Sequence, residues 1–107
     1  KSKWGRIVNI GSSSSYNGFK NSVAYCSSKH GLLGFSRALF SELKDSNIRV
    51  YSISPGSTQT KMGKLSKDQK FETFLEPKEV ADYVAFVISF DKQLISEEIR
   101  LNRMQIK

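Results

Sequence analysis

Apolar residues along this chain switch between two periods, and the switches mark out its elements. Arg6-Ile7-Val8-Asn9-Ile10 is a short β-branched run between Gly5 and Gly11, which predicts a strand buried on both faces, as in a parallel sheet. Further on, Leu32, Phe35, Leu39 and Leu43 recur at intervals of three and four, while Ser36, Arg37, Ser41 and Glu42 fall on other faces. That stripe predicts an amphipathic helix from about Tyr25 to Leu43, capped by Asn21 or Ser22 and stopped by Asp45-Ser46-Asn47. Ile48 to Ser54 reads as a second buried strand, closed by Pro55-Gly56. Strand, helix and strand joined by short loops make a βαβ unit with parallel strands and a right-handed crossover.

Ser57 to Glu76 has no clean period but carries Met62, Leu65, Phe71, Phe74 and Leu75, more large apolar groups than a disordered linker holds. After the carboxyl end of a strand in an α/β domain, such a segment (57–76) is a candidate substrate lid. Its lysines Lys61, Lys64, Lys67 and Lys70 would suit a substrate with an apolar body and an anionic group. Pro77 fits the first position of a helix, with Glu79 in its first turn and Val80, Tyr83, Val84, Val87 and Ile88 as a core-facing stripe. A last strand is expected around Ile99 to Met104, with Ile99 and Leu101 on one face and Arg100 and Asn102 on the other. The order is β-α-β-lid-α-β, an α/β arrangement over residues 1–107 read as one partial domain.

Composition narrows the classes. A chain of 107 residues supports one modest core, and its 25% charged and 38% apolar residues are ordinary for a soluble globular protein. No run approaches the ~20 consecutive apolar residues of a membrane span, and no secretory-signal layout opens the chain. One cysteine, Cys26, and one histidine, His30, leave no disulfide and no metal cluster, so a reducing, cytoplasmic setting is expected with no metal. The net charge of +7 is spread along the chain without aromatic-basic RNA signatures or zinc-finger spacing. A solvated basic loop accounts for it better than a nucleic-acid footprint does.

Chemistry concentrates in Tyr25-Cys26-Ser27-Ser28-Lys29. Residues four apart on a helix lie one above the other, so a phenol and an ammonium would share one face. An unperturbed phenol, with a pKa of about 10, is a poor acid-base catalyst near neutrality, and a fixed positive charge beside it favours the phenolate. Spacing alone carries little: Tyr16 is also followed four residues later by a lysine, Lys20, with Asn17 and Gly18 between them as in a loop. A serine-hydrolase reading fails because Gly11-x-Ser13-x-Ser15 lacks the second glycine of a nucleophile elbow. Cys26 fits a small buried hydrophobe, and His30 a helix-surface or packed residue.

Taken together, Asn9-Ile10-Gly11-Ser12, Tyr25-x-x-x-Lys29 and Pro55-Gly56-x-x-x-Thr60-x-Met62 resemble the C-terminal half of the short-chain dehydrogenases/reductases. The thirteen residues from Ser12 to Tyr25 match that family's spacing, and the resemblance covers essentially the whole chain. It implies the C-terminal half of a doubly wound, Rossmann-like parallel sheet and an NAD- or NADP-dependent oxidoreductase acting on a small carbonyl or alcohol. Tyr25 would be the general acid or base, Lys29 would support it and bind the nicotinamide ribose, and Ser12 would hydrogen-bond the substrate oxygen. Pro55 and Gly56 would let the backbone approach the nicotinamide, and Thr58 and Thr60 would contact the carboxamide and phosphates.

The family's G-x-x-x-G-x-G phosphate loop, its Asn-Asn-Ala-Gly stretch and its ribose-binding acidic residue are missing from the sequence. All belong to an N-terminal half that would precede Lys1. The chain is therefore expected to need that half, or a partner chain, for activity, and to associate, as a homo-oligomer or with the missing half. The alternative is a non-enzymatic half-domain, a truncated, split-gene or degenerate product that acts only by association.

Overall fold

The computed structural model describes residues 4–59 and 70–104. They form strand β1 (Gly5–Ile10), helix α1 (Val23–Leu43), strand β2 (Ile48–Pro55), helix α2 (Pro77–Ile88) and strand β3 (Glu98–Leu101). Single 3-10 turns lie at Ser13–Ser15, Lys44–Ser46 and Phe71–Thr73. The strands make a three-stranded parallel sheet in the order β1-β2-β3. This is the α/β arrangement expected, with β3 ending at Leu101 rather than Met104.

The register explains the two layers. Asn9 lies beside Ser52, and Ser52 beside Glu98, so one polar row crosses the sheet. The next row, Ile10, Ile53 and Ile99, points to the other face, because side chains alternate along a strand. α2 covers the apolar face: Tyr51, Ile53, Val87 and Ile99 are buried together, with Val8, Val84, Ile88 and Leu101 packed around them. α1 covers the polar face, where Asn9 Nδ2 donates to Ser36 Oγ at 2.8 Å. Opposite faces and a steady order of strands give the β1-α1-β2 and β2-α2-β3 crossovers opposite hands. The right-handed rule therefore holds for one of them and not for the other.

This polar row also corrects the expected face of α1. Cys26, Leu33 and Ser36 are its buried residues, whereas Phe35, placed on the core stripe by spacing, is 56% exposed. The sheet offers Asn9, Ser52 and Ser54 to the helix, so a small hydroxyl fits there better than an aromatic ring. β1 departs from expectation too: β2 is buried on both faces from Val50 to Ser54, but β1 is only half-buried and pairs with β2 alone among the described residues.

Helix ends follow local chemistry. α1 starts at Val23, and Ser22 occupies the N-cap position without capping; its hydroxyl instead donates to the Lys20 carbonyl at 3.3 Å. Asn47, in the left-handed conformation at φ 58, ends the 3-10 turn after α1, a geometry asparagine tolerates. Pro77 opens α2 at N1/N2, with Glu79 in the first turn. In the segment 57–76, residues 60–69 lie outside the described residues, and with them Lys61, Lys64, Lys67, Met62 and Leu65. Its two ends are clasped: Leu75 N–H donates to Ser57 O at 2.8 Å, and Gln59 N–H to Leu75 O at 2.9 Å. Phe74 is buried beneath the Arg103 guanidinium, 5.2 Å from its ring centroid.

Candidate active site

The carboxyl ends of parallel strands, where an open α/β sheet places its site, carry the described residues that the sequence singled out. Ser12 follows β1, Tyr25 sits in the first turn of α1, and Pro55 ends β2. Gly11 joins β1 to this edge by donating its N–H to Ile53 O at 2.8 Å. A Cβ on Gly11 would lie 2.6 Å from Ser15 Oγ and 2.7 Å from Ser54 Oγ, so packing requires glycine here.

Ser12 is held in one orientation by a small hydrogen-bonded turn that packs against α1. Its backbone is extended, at φ −158 and ψ 177, and it caps the Ser13–Ser15 turn. Ser14 N–H donates to Ser12 Oγ at 2.8 Å, and Ser12 N–H donates to Ser15 Oγ at 3.1 Å, which closes a capping box. With its oxygen accepting from Ser14, the Ser12 hydroxyl keeps its proton to donate outward. The run of four serines, which composition alone would mark as a flexible linker, is a built turn with Ser14 and Ser15 buried.

Tyr25 is 44% exposed, open to a reactant, and Lys29 stands one turn further along α1. The Lys29 Nζ lies 5.6 Å from the Tyr25 ring centroid, so the helix brings phenol and ammonium together. Cys26, between them in sequence, is buried. His30 Nδ1 lies 2.8 Å from Cys26 O, and since a carbonyl only accepts, Nδ1 is the donor.

At the end of β2, Gly56 N–H donates to Leu101 O at 2.8 Å, and Thr58 Oγ1 donates to Gly56 O at 3.0 Å. A Cβ on Gly56 would stand 3.5 Å from Leu101 O, an ordinary contact, so the chain itself does not require glycine there. Thr60 lies outside the described residues.

A second cluster, which the sequence did not single out, adjoins the Ser12 turn. Tyr16, the residue that ends the turn, donates from its hydroxyl to Glu98 Oε1 at 3.3 Å. Arg37 of α1 grips the same carboxylate with two nitrogens, Nε at 2.6 Å and Nη2 at 3.0 Å. The Arg100 guanidinium covers the Tyr16 ring at 4.4 Å. Hydrogen bonding from Arg37 is the main cause that holds the Glu98 carboxyl below its ordinary pKa. Burial, then the Glu98 charge, pushes the Tyr16 phenol above its own. Tyr16 and Glu98 are separated by 82 positions and Arg37 and Glu98 by 61, so no local pattern could pair them.

Known proteins resemble this arrangement. A family model described as short chain dehydrogenase matches residues 1–70. The 3-oxoacyl-[acyl-carrier-protein] reductase FabG of Aquifex aeolicus is 37% identical over 92% of this chain and 44% of its own length. Carbonyl reductase family member 4 of Xenopus laevis is 40% identical over 78% of this chain and 38% of its own length. Among solved structures, a 4-hydroxyisoleucine dehydrogenase complexed with NADH superposes with a TM-score of 0.76 at 31% identity, over 92% of this chain and 45% of that one. A betaketoacyl-[ACP] reductase from Bacteroides thetaiotaomicron gives the same TM-score at 26% identity, over 94% of this chain and 42% of that one. The chain thus spans less than half the length of these relatives. None of the described helices is long and apolar enough to cross a membrane.

Proposed function

Because the chain belongs to the short-chain dehydrogenase/reductase family, we propose that it is the catalytic half of an NAD- or NADP-dependent oxidoreductase, acting between a carbonyl and its alcohol. The observation that carries this reading is Tyr25 exposed on the first turn of α1 with Lys29 Nζ 5.6 Å from its ring. The names of the relatives, 3-oxoacyl and carbonyl reductases, favour a ketone as substrate.

The donor set fits one end of a dinucleotide. Lys29 and Tyr25 would offer hydrogen bonds to the ribose next to the nicotinamide, Pro55 and Gly56 backbone at the ring, and Thr58, whose hydroxyl donates to Gly56 O, an acceptor to the carboxamide. Thr60, proposed to join it, lies outside the described residues. The sequence carries no glycine-rich phosphate loop for the adenosine end. When bound, the nicotinamide supplies or accepts the hydride.

In the reducing direction, Tyr25 gives its phenolic proton to the substrate oxygen as that oxygen becomes an alcohol; in the oxidising direction it takes the proton back. The Lys29 ammonium stabilises negative charge on the phenol oxygen while the proton is away. Ser12, its oxygen already accepting from Ser14, directs its O–H at the substrate oxygen, where charge develops. The segment 57–76 is assigned as the substrate lid; its described ends meet where Leu75 bonds Ser57 and Gln59.

The test uses this chain alone and the completed enzyme, meaning the chain together with the nucleotide-binding half that its relatives' greater length supplies. Calorimetric titration with NADH and NADPH should show no binding to the chain alone and binding to the completed enzyme. The completed enzyme should then oxidise one of the two in the presence of a ketone. Binding without turnover on any ketone or alcohol would favour a half-domain that acts only by association.

A further inference from the structure

Resting on the role of Ser12 given above, we propose that Tyr16 and Glu98 are positioning residues for Ser12: together with Arg37 they lock the serine turn to the helix that carries Tyr25. The turn has two ends. At the first, Gly11 is bonded to β2 and Ser12 closes the capping box. At the second stands Tyr16, followed by the exposed residues Asn17 to Lys20, which take no helix or strand. Asn17 bonds back to Ser13 O within the turn, and Tyr16 ties this end of the turn to β3.

Glu98 and Arg100 are two apart on β3, so they share the sheet face that α1 covers, while Ile99 between them joins the core under α2. Glu98 Oε1 accepts from both Tyr16 and Arg37 Nη2, Oε2 accepts from Arg37 Nε, and Arg100 stacks on the Tyr16 ring. One carboxylate thus joins the turn bearing Ser12 to the helix bearing Tyr25. The two groups that must meet one substrate oxygen are otherwise linked by the packing of the turn on α1 and by the segment Asn17 to Ser22. A misplacement of about 1 Å in a reacting geometry can cost 10²-fold in rate, so a tie of this kind matters for kcat without touching substrate.

The experiment is a double-mutant cycle in the completed enzyme, with circular dichroism and melting recorded for each variant. Tyr16→Phe removes one hydrogen bond and should lower kcat about three- to tenfold, leaving KM for the dinucleotide unchanged. Glu98→Gln keeps an acceptor for Tyr16 but loses the charge that binds Arg37, and should give a similar loss. In a Ser12→Ala background both effects should vanish, since there is no hydroxyl left to position. A merely structural role would instead multiply with Ser12→Ala, and that result overturns the proposal, as does unchanged kcat in both single variants. If Tyr16→Phe fails to fold, Glu98→Gln alone decides between the same two outcomes. A neutral Ser12→Ala would defeat the proposed role of Ser12 itself, and the positioning role with it.

Discussion

Tyr25 and Tyr16 are each followed four positions later by a lysine, and the fold treats the two stretches in opposite ways. Tyr25 to Lys29 lies within α1, where 3.6 residues per turn stack the two side chains, and the ammonium lies 5.6 Å from the ring. Tyr16 ends a 3-10 turn, Asn17 to Phe19 have no regular structure, and the partners of Tyr16 come from α1 and β3. The same four-residue spacing gives a local pair in one place and a long-range clamp in the other. Spacing acquires chemical meaning only from the backbone that carries it.

The sharpest way to break the comparison is to remove one hydroxyl at a time. Tyr25→Phe in the completed enzyme should cost about 10³-fold or more in kcat, the scale of losing a general acid, with dinucleotide binding retained in calorimetry. Tyr16→Phe should stay within about tenfold, as a positioning residue would. Equal losses would remove the distinction between the two tyrosines.

Next in size is Gly11→Ala. The new methyl meets Ser15 Oγ and Ser54 Oγ, and Ser15 cannot swing away without giving up the bond it accepts from Ser12 N–H. Overpacking of this kind costs about 1–3 kcal/mol in chemical denaturation. Turnover should fall as well, because the displaced serine belongs to the turn that holds Ser12. Unchanged stability would show that the serine turn is softer than its hydrogen bonds indicate.

The smallest effect concerns pH. The pKa of Glu98 is depressed in the folded chain, so its contribution is present above the ordinary carboxylate value and is lost as pH falls through its folded value. That of Tyr16 is raised, so its contribution is present below the ordinary phenol value and is lost as pH climbs through its folded value. The Arg37 and Glu98 side chains are 57% and 31% exposed, and solvent screens the pair. Glu98→Gln should therefore flatten the acid limb of a melting-temperature profile by about 2 °C and, because the Glu98 charge helps raise the Tyr16 value, the alkaline limb by less. A change confined to the alkaline limb would contradict the assignment of Glu98.

What the sequence could disclose followed the reach of each interaction. Both β-branched runs, the proline at the start of α2 and the asparagine stop after α1 are governed by neighbours a few residues away, and all were readable. The buried face of α1 was not. Its spacing pointed to Phe35, but Ser36 is buried because Asn9, Ser52 and Ser54 arrive from strands distant in sequence. The hand of the second crossover depends on which sheet face is apolar, and register between strands sets that. For the candidate site, the proximity of Tyr25 and Lys29 could be read because a helix brings them together, while that of Tyr16, Arg37 and Glu98 could not. Their charges and polarity look like those of any solvated surface residue until the strands are assembled.

The most direct measurement is a cycle on Tyr25 and Lys29 in the completed enzyme, reading kcat with saturating dinucleotide. Groups that act as one device lose their effect together, so Lys29→Met should cost about 10²-fold in the native background and almost nothing further in Tyr25→Phe. Lys20→Met, the counterpart beside Tyr16, should leave kcat unchanged. Full multiplication of the Tyr25 and Lys29 losses would show two independent residues, and the pair on α1 would then not be the proton-transfer device.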